Sequence, residues 1–459
     1  MNDKSLKDNL GQNTESLDGQ ATQVVVESGA EIAAFLVSEV AESIIQAALA
    51  TLGWELVKYS CDKPYVRPGA GVSVGYFVTA RASDKEFSTY LTASTEKVDN
   101  TSAVLTFTDP EGIVQDPIYV WQFPHDPALP ALAQATNTAA MREVWPEREN
   151  IAARVVVYRP TRRAVVEYSE NGVPFGFGKV MHPPKARDLL RRTQTVAQGS
   201  SPVPPIIYSN DDGLLVSAVA QGSPLSNTIA FDPDHAIGLI GKLEDALDAL
   251  PDEVAQLDKH PSWTDRIDSY GGSAAELMPA YADDIHRVIA WVKSVVSAPG
   301  KPADVATHGD FFEANVLIDV DDTLTFIDLD HVGPGKRNDD WGCMLAHVSV
   351  LPFLLESQWV VAESDEPFRE RLEKLNPGGM RCSYYPRSEE VLEAWCQYLE
   401  QRTDPVDLYA RAAAVTLSMA SNADVNQAPR EAEARMRRVL WWMERAQGLE
   451  SAQRLEAGR

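Results

Sequence analysis

The spacing of apolar residues is mixed in the first third of the chain. The apolar stretch Ala30–Leu52 is interrupted by glutamates, which favour an amphipathic helix over a membrane span. Strand-like stretches and one helical patch follow, and these are Val72–Ala80, Tyr90–Ala93, Ala103–Phe107, Ile118–Phe123 and Ala128–Val144. After a disordered tail at residues 1–22, we therefore predict a separate α/β domain at 23–150.

The middle of the chain predicts a small sheet with one helix. Alternating apolar residues mark the strands, which are Val155–Tyr158, Ala164–Tyr168, Gly176–Met181, Ile206–Tyr208 and Leu214–Val219. The helix is Lys185–Ala197. From residue 223 to residue 459 the spacing is mostly helical, as in the stripe from Ile285 to Val296. The pattern predicts an α+β chain in which a sheet-rich lobe at 151–222 precedes a helical lobe.

The bulk composition limits the classes of partner. The 459 residues include 41 Lys and Arg and 67 Asp and Glu, which gives a net charge of −26. Such a charge repels nucleic acid and anionic membranes, so we expect neither as a partner. It would suit a cationic acceptor, although acidic surfaces more often only keep a protein soluble.

The cysteines and the first residues bear on the compartment. The four cysteines are widely spaced and form no CxxC pattern, which argues against a zinc site or a disulfide framework. The first twenty residues are polar and have no apolar core of a signal peptide. We expect a cytoplasmic protein.

The chemistry is predicted between His308 and Asp328. Two short apolar runs, Val316–Val320 and Leu324–Ile327, are separated by turn formers and predict a β-hairpin. Asp310 and Asn315 precede its first strand and Asp328 ends its second, so the hairpin brings three oxygen-bearing side chains together. Phosphoryl transfer needs such a set, because oxygen ligands hold Mg²⁺ and a separate carboxylate orients the attacking hydroxyl.

The run His308-Gly309-Asp310, with Asn315 and the strand end at Asp328, resembles the signature of the aminoglycoside phosphotransferase family. This family has a protein-kinase-like bilobal fold and includes choline, sugar and antibiotic kinases. The resemblance implies ATP and Mg²⁺ as cofactors. It implies that Asp310 is the catalytic base, that Asn315 and Asp328 hold the metal, and that His308 braces the loop. Asp340 is similar to the family's aspartate that ties down the catalytic loop.

On the nucleotide side, Lys179 is the best candidate for a lysine that contacts the ATP phosphates, with a surface lysine on an edge strand as the alternative. The segment from Ser217 to Val219 resembles the family's hinge, whose backbone would bond adenine. One feature departs from the pattern. The helix Lys185–Ala197 contains no glutamate to pair with the lysine, and its only acid, Asp188, lies a turn early.

The acceptor is expected to be a hydroxyl on a small molecule. Eleven residues separate Asp328 from Asp340, too few for a segment that cradles a peptide, which disfavours a protein kinase. A sugar, amino sugar or aminoglycoside-like acceptor fits, and a non-catalytic pseudokinase is the alternative. Aromatic residues after the loop are candidates for stacking on the acceptor or for core packing, and these are Trp341, Trp359, Tyr384, Tyr385 and Trp395.

The region before residue 151 resembles, in size and domain order, the extra N-terminal domain of maltokinases and glucosamine kinases. This resemblance implies that a cap domain packs on the small lobe.

Overall fold

The computed structural model divides the chain into two compact units. It describes residues 28–67, 69–98, 105–109, 114, 116–354, 385–423, 425 and 428–457. Unit 1 falls within residues 1–137 and 157–164, and unit 2 within 138–156 and 165–459. The predicted tail lies outside the described residues, as do Trp359 and Tyr384. The predicted domain boundaries stay a prediction.

Unit 1 is built from two helices and a six-stranded antiparallel sheet. The helices are α1 (Gly29–Leu36) and α2 (Val40–Thr51), and the strands are β1 (Glu55–Cys61), β2 (Tyr65–Arg67), β3 (Gly71–Ala82), β4 (Lys85–Ser94), β5 (Leu105–Phe107) and β6 (Ile118–Gln122). The sheet order is β1-β3-β4-β6-β5, and β2 also pairs with β3. The alternating residues Val72, Val74 and Tyr76 are buried against α1 and α2, as the period of two requires.

Most strands predicted for this region are confirmed. The predicted helix at Ala30–Leu52 is instead two helices, α1 and α2, and the helical patch Ala128–Val144 is not one helix either. It contains two short helices, α3 (Leu132–Thr136) and α4 (Thr138–Val144). Asn137, between them, has an extended backbone with φ −90° and ψ 105°, which ends the first helix. Within the described part of the chain, no single helix is long and apolar enough to span a membrane. Only α1 and α2 taken together reach the required length and composition, across a bend of 62°.

Unit 2 begins with a five-stranded antiparallel sheet. Its strands are β7 (Ile151–Arg159), β8 (Arg163–Glu170), β9 (Val173–Met181), β10 (Ile206–Ser209) and β11 (Leu214–Ala218), in the order β10-β11-β9-β8-β7, although the β7–β8 turn at 157–164 falls in unit 1. The helix α5 (Pro183–Val196) connects β9 to β10. It begins at Pro183, two residues earlier than predicted, because proline suits the first turn of a helix.

The remainder of unit 2 is mostly helical. Its helices are α6 (Leu225–Phe231), α7 (Pro233–Gly238), α8 (Ile240–Asp248), α9 (Ile267–Leu277), α10 (Ala282–Val296), α11 (Arg337–Val350), α12 (Ser388–Glu400), α13 (Pro405–Ala420) and α14 (Pro429–Ala457). Short strands lie among them, and these are β12 (Ser223–Pro224), β13 (Val305–Thr307), β14 (Val316–Ile318), β15 (Leu324–Phe326) and β16 (Gly333–Gly335). The predicted order of a sheet-rich region before a helical region, and the α+β class, are confirmed.

One hydrophobic core joins the sheet of unit 2 to its helices. It includes Leu215 of the sheet, Leu189 of α5, Val316 of β14 and Trp341 of α11. The loop from β13 to β14 and the turn after β15 are therefore anchored to buried strands at both ends. A loop held in this way is suited to fix polar side chains in place.

Candidate active site

The β14–β15 hairpin holds Asn315 next to Asp310. The amide Nδ2 of Asn315 donates to the carbonyl oxygen of Asp310 at 2.9 Å and lies 3.5 Å from its carboxylate Oδ2. The backbone N–H of Ile327 donates to the Asn315 carbonyl at 3.0 Å, continuing the hairpin register in which Val316 pairs with Phe326. This register places Asp328 immediately after the residue bonded to Asn315.

Two buried side chains hold the loop that carries Asp310. The carboxylate of Asp340, at the start of α11, accepts the backbone N–H of His308 at 3.0 Å and that of Gly309 at 2.8 Å. The ring Nε2 of His308 lies 3.0 Å from the Ile327 carbonyl, so this nitrogen carries the proton and donates. Both side chains are fully buried. The loop is thereby tied to α11 on one side and to β15 on the other.

A steric constraint explains why position 309 is a glycine. Its φ is +79°, and a Cβ placed on it would lie 2.3 Å from the carbonyl oxygen of His331. No side chain fits there without moving the backbone.

Lys179 reaches across from the sheet to two carboxylates. It pairs with Leu215 in the β9–β11 register. Its Nζ lies 2.6 Å from Oδ1 of Asp328 and is also bonded to the carboxylate of Asp330. Asp328 has a left-handed backbone, with φ 61°, and a single 3-10 turn follows it. This uncommon conformation of a residue other than glycine turns the chain so that both carboxylates meet one ammonium group.

A cavity of about 310 Å³ lies between this cluster and the sheet. Its walls are mainly apolar, and its lining includes Lys179, Asn315 and Asp328 together with Ser217 and Val219. All of these residues belong to unit 2. An apolar slot with a few polar groups at one end is the usual form of a small-molecule site.

Comparisons with known proteins identify this region. A family model described as "Phosphotransferase enzyme family" (APH) matches residues 179–378, from Lys179 through the whole loop that carries Asp310. Residues 179–378 belong to the phosphotransferase enzyme family. The family expected from the motif, and its protein-kinase-like bilobal fold, are thereby confirmed for the phosphotransferase segment.

Solved structures give weaker similarities to the chain. A thermostable mutant of aminoglycoside phosphotransferase APH(4)-Ia, in ternary complex with AMP-PNP and hygromycin B, has a TM-score of 0.42 and 13% identity, covering 67% of this chain and 98% of that one. A choline/ethanolamine kinase family protein from Mesorhizobium loti has a TM-score of 0.40 and 15% identity, covering 69% and 92%. An ethanolamine kinase from Plasmodium vivax has a TM-score of 0.37 and 12% identity, covering 67% and 89%. TM-scores this low support no conclusion about this chain. No curated protein matches it.

The electrostatics of the phosphotransferase segment single out Asp310. Burial, followed by the negative charges of Asp328 and Asp330, raises the pKa of Asp310 to about 7, and Arg266 opposes this shift. Burial would lower the pKa of Lys179, but the two carboxylates outweigh it and the pKa is raised. Lys179 is therefore charged, while Asp310 titrates near neutral pH, where a general base is most effective.

The acid that pairs with Lys179 is not on α5. Asp188, the only acid of this helix, is bonded to Arg192 at 2.6 Å and to Arg191 at 2.9 Å. Asp328 and Asp330 bind the lysine instead. Asp330 is not among the residues that the sequence predicts for the site. The short spacing between Asp328 and Asp330 is visible in the sequence. The contact between Asp330 and Lys179 is not, because these two residues lie 151 positions apart along the chain.

Arg192 is a second residue near the site that the sequence pattern does not predict. Its side chain is 1% exposed, and it donates to the carbonyl of Val332 and, at 3.0 Å, to that of Asp258. It ties α5 to the segment that follows Asp328 in the phosphotransferase fold. In kinases of this kind, an ion pair between the lysine and a glutamate of the helix links the helix to the site. Here the buried side chain of Arg192 makes a comparable link.

The donor set fits a divalent cation of the magnesium type. The Nδ2 of Asn315 is committed to Asp310, which leaves the amide oxygen of Asn315 as its acceptor, and Asp328 supplies a carboxylate lining the same cavity. Amide and carboxylate oxygens are the ligands that Mg²⁺ takes alongside phosphate and water. Among the described residues, no group of three or more His, Cys, Asp or Glu is arranged to hold a metal alone. Phosphate oxygens would therefore have to complete the site.

The predicted hinge residues line the cavity, but one backbone group is already used. The N–H of Val219 donates to the Phe175 carbonyl at 3.1 Å, so adenine contact at Val219 would have to use its carbonyl. Ser217 lies opposite Phe177 in the β9–β11 ladder, with its hydroxyl 3.5 Å from that residue's carbonyl. The roles assigned to Ser217 and Val219 stay predictions.

Two aromatic residues considered for acceptor binding belong to the core. Trp341 is 2% exposed and packs edge-on against Phe311. Trp395 is fully buried and donates its ring N–H to the Ala236 carbonyl at 3.1 Å. For these two residues core packing, the alternative interpretation, is confirmed.

Proposed function

We propose that this protein is a Mg·ATP-dependent kinase that transfers the γ-phosphate of ATP to a hydroxyl of a small molecule. The observation that carries the proposal is that Asn315 and Asp328 line an apolar cavity together with Lys179, while Asp310 lies beside Asn315. A binding protein has no need of a buried carboxylate that titrates near neutral pH, whereas a phosphotransferase does.

Each residue has a distinct task in this proposal. Adenine lies in the apolar part of the cavity, and Lys179 contacts the phosphates. Asn315 and Asp328 would hold Mg²⁺, which neutralises charge on the phosphates during transfer. Asp310 accepts a hydrogen bond from the acceptor hydroxyl and orients it toward the phosphorus. Since Asp340 and His308 fix this loop, they position Asp310 without touching substrate.

The path of the chain after Asp328 supports a small acceptor. A 3-10 turn at Leu329–His331, the strand β16 and the start of α11 take up all residues as far as Asp340 except the single linking residues Val332 and Lys336. No free loop remains there to cradle a peptide. A sugar, amino sugar or aminoglycoside-like acceptor is consistent with this path and with the acidic net charge.

The direct test is a screen of hydroxylated metabolites, amino sugars and aminoglycosides with Mg·ATP, in which ADP release and phosphorylated product are measured together. The proposal expects at least one acceptor to yield a phosphate monoester in a reaction that EDTA stops. A peptide library is the negative control. Failure of every small acceptor, with transfer to peptides, would overturn the small-molecule assignment.

The contacts of Lys179 are also compatible with one alternative to a kinase, a non-catalytic pseudokinase. Because both carboxylates hold this lysine, a pseudokinase that binds nucleotide without turnover would show the same contact. Tight AMP-PNP binding with neither ATP hydrolysis nor transfer would support it.

A further inference from the structure

Unit 1 contains two turns of the same construction. They run from Arg67 to Ala70 and from Arg159 to Arg162, and in each the carbonyl of the arginine accepts the backbone N–H three residues on at 3.0 Å. The third residue of each turn has a positive φ, 73° at Gly69 and 60° at Thr161. Glycine is the usual residue at such a position, whereas a β-branched residue is strained there. The turn alone does not explain Thr161, but its contacts do.

Two buried carboxylates hold the second turn in this strained form. The hydroxyl of Thr161 donates to Oε2 of Glu96 at 2.7 Å, and its backbone N–H donates to Oδ2 of Asp126 at 2.8 Å. The same Oε2 of Glu96 accepts a hydrogen bond from Nη1 of Arg67 at 2.5 Å. Glu96 and Asp126 are 5% and 4% exposed. A strained backbone persists only where its surroundings over-determine it, so these contacts fix the two turns side by side.

The two turns bring four arginines together, and these are Arg67, Arg159, Arg162 and Arg163. Burial, followed by the charges of the other three arginines, lowers the pKa of Arg162, and Glu96 opposes the shift. Each of the three therefore lies close enough to Arg162 to repel it. Among the described residues, the carboxylates in contact with these turns are those of Glu96 and Asp126. Four positive charges thus stand against two negative ones.

Three of the four arginines have no ionic partner within the described part of the chain. Arg67 is paired with Glu96, but the side chains of Arg159, Arg162 and Arg163 form neither a salt bridge nor a hydrogen bond there. Each guanidinium group therefore keeps its N–H donors free. Like charges held together repel one another, and a bound anion would remove that repulsion.

We propose that these four arginines form a binding site for a small anion of the phosphate class, such as a diphosphate or a phosphate monoester. Planar guanidinium groups bind phosphate oxygens in pairs, and four of them match the several oxygens of phosphate better than the two of one carboxylate. A negatively charged polymer is a less suitable partner, because the net charge of −26 repels it at long range. The site belongs to unit 1 and does not depend on the kinase activity proposed for unit 2.

The test is isothermal titration of the intact protein with pyrophosphate at constant ionic strength. EDTA is present, because it withholds the Mg²⁺ that the proposed nucleotide site would need. We expect saturable binding. Arg159→Gln and Arg162→Gln should each weaken it at least about tenfold, because each removes a charge-assisted hydrogen bond. Arg81→Gln is the matched control and should leave binding unchanged, since this exposed arginine of unit 1 is paired with Glu86.

Arg159→Gln and Arg162→Gln should keep the native melting temperature, because both side chains are exposed and have no ionic partner to lose among the described residues. The proposal is overturned by an absence of saturation up to about 10 mM pyrophosphate. It is equally overturned if both variants bind pyrophosphate as tightly as the control. Binding of a DNA duplex that both substitutions weaken, without saturation by pyrophosphate, would overturn it in favour of a polymeric partner.

Discussion

Asp310 combines burial with two negative neighbours, and this combination gives it a pH dependence that can be measured. Burial and the charges of Asp328 and Asp330 raise its pKa to about 7. Below that pH the carboxyl group is protonated and has no free charge to accept a proton from a hydroxyl; above it, the charged form is available. Activity should therefore be lost as the pH falls through this value.

We expect kcat/KM for ATP, at saturating acceptor, to rise about tenfold per pH unit below pH 7 and to level off above it, since this quantity reports the protein before nucleotide binds. Arg266 opposes the shift, so Arg266→Gln should move the inflection to higher pH. The control is Arg287→Gln, whose exposed side chain pairs with Asp284 in the same unit. A profile without inflection between about pH 5 and 9, or an inflection that Arg266→Gln leaves in place, would contradict this role of Asp310.

At the same scale, the sequence predicted the residues that form a local motif and missed those that depend on distant contacts. Asp310, Asn315 and Asp328 lie within one loop and hairpin, so their spacing alone suggested their meeting. The partner of Lys179 could not be read in this way, because Asp330 follows it by 151 residues and a helix glutamate was the expected partner.

At the scale of elements, α5 shows how one buried side chain can replace an expected ion pair. Arg192 bonds to Asp188 within the helix and to two backbone carbonyls outside it, those of Val332 and Asp258. Without the guanidinium, these carbonyls and the Asp188 carboxylate would lose partners in a buried place.

We expect Arg192→Met to lower the free energy of unfolding by about 3 kcal/mol. The substitution removes the positive charge and leaves the buried oxygen atoms that Arg192 binds without a hydrogen-bond donor. Arg191→Met is the matched control, because this neighbouring arginine is exposed and its loss should change stability little. Urea unfolding of both variants, followed by circular dichroism, measures the difference. Equal stability of the two variants would show that Arg192 does not lock the helix.

The positions of the helices and strands agree closely with the spacing of apolar residues in the sequence. The ends of the helices depend instead on individual residues. The strands β9 and β11 and the helix α10 lie where alternation and the helical stripe indicate them. The helix boundaries at Pro183 and at Asn137 departed from the predicted ones, since a proline at the start and an extended residue between two helices override the apolar pattern. Apolar spacing carries no information about these local backbone preferences.

At the scale of the whole molecule, all residues that line the cavity of about 310 Å³ belong to unit 2. Ligand binding should therefore stabilise that unit. With AMP-PNP and Mg²⁺ present, we expect hydrogen exchange to slow in peptides covering β11 and β15, by up to about 100-fold at a ligand concentration 100 times Kd. Peptides covering β3 in unit 1 serve as the internal reference. Protection confined to β3, with β11 and β15 unchanged, would place the nucleotide elsewhere.

The organisation into larger parts was only partly accessible from sequence. The change from alternating to helical spacing separates the sheet of unit 2 from its helices, as predicted. The grouping of residues 157–164 with unit 1 had no sequence signal, because the strands on either side of this turn continue the same alternating pattern. The resemblance of the N-terminal region to the cap of maltokinases stays a prediction.

The most direct measurement compares the intact protein with Asp310→Asn in a single-turnover reaction with labelled Mg·ATP and an acceptor found in the screen, alongside AMP-PNP affinity for both. If Asp310 orients and deprotonates the acceptor, the substitution should slow phosphoryl transfer by about 100- to 10,000-fold and leave nucleotide affinity within about twofold. Transfer at an undiminished rate in Asp310→Asn, with the same product, would contradict the assignment of the catalytic base and with it the proposed mechanism.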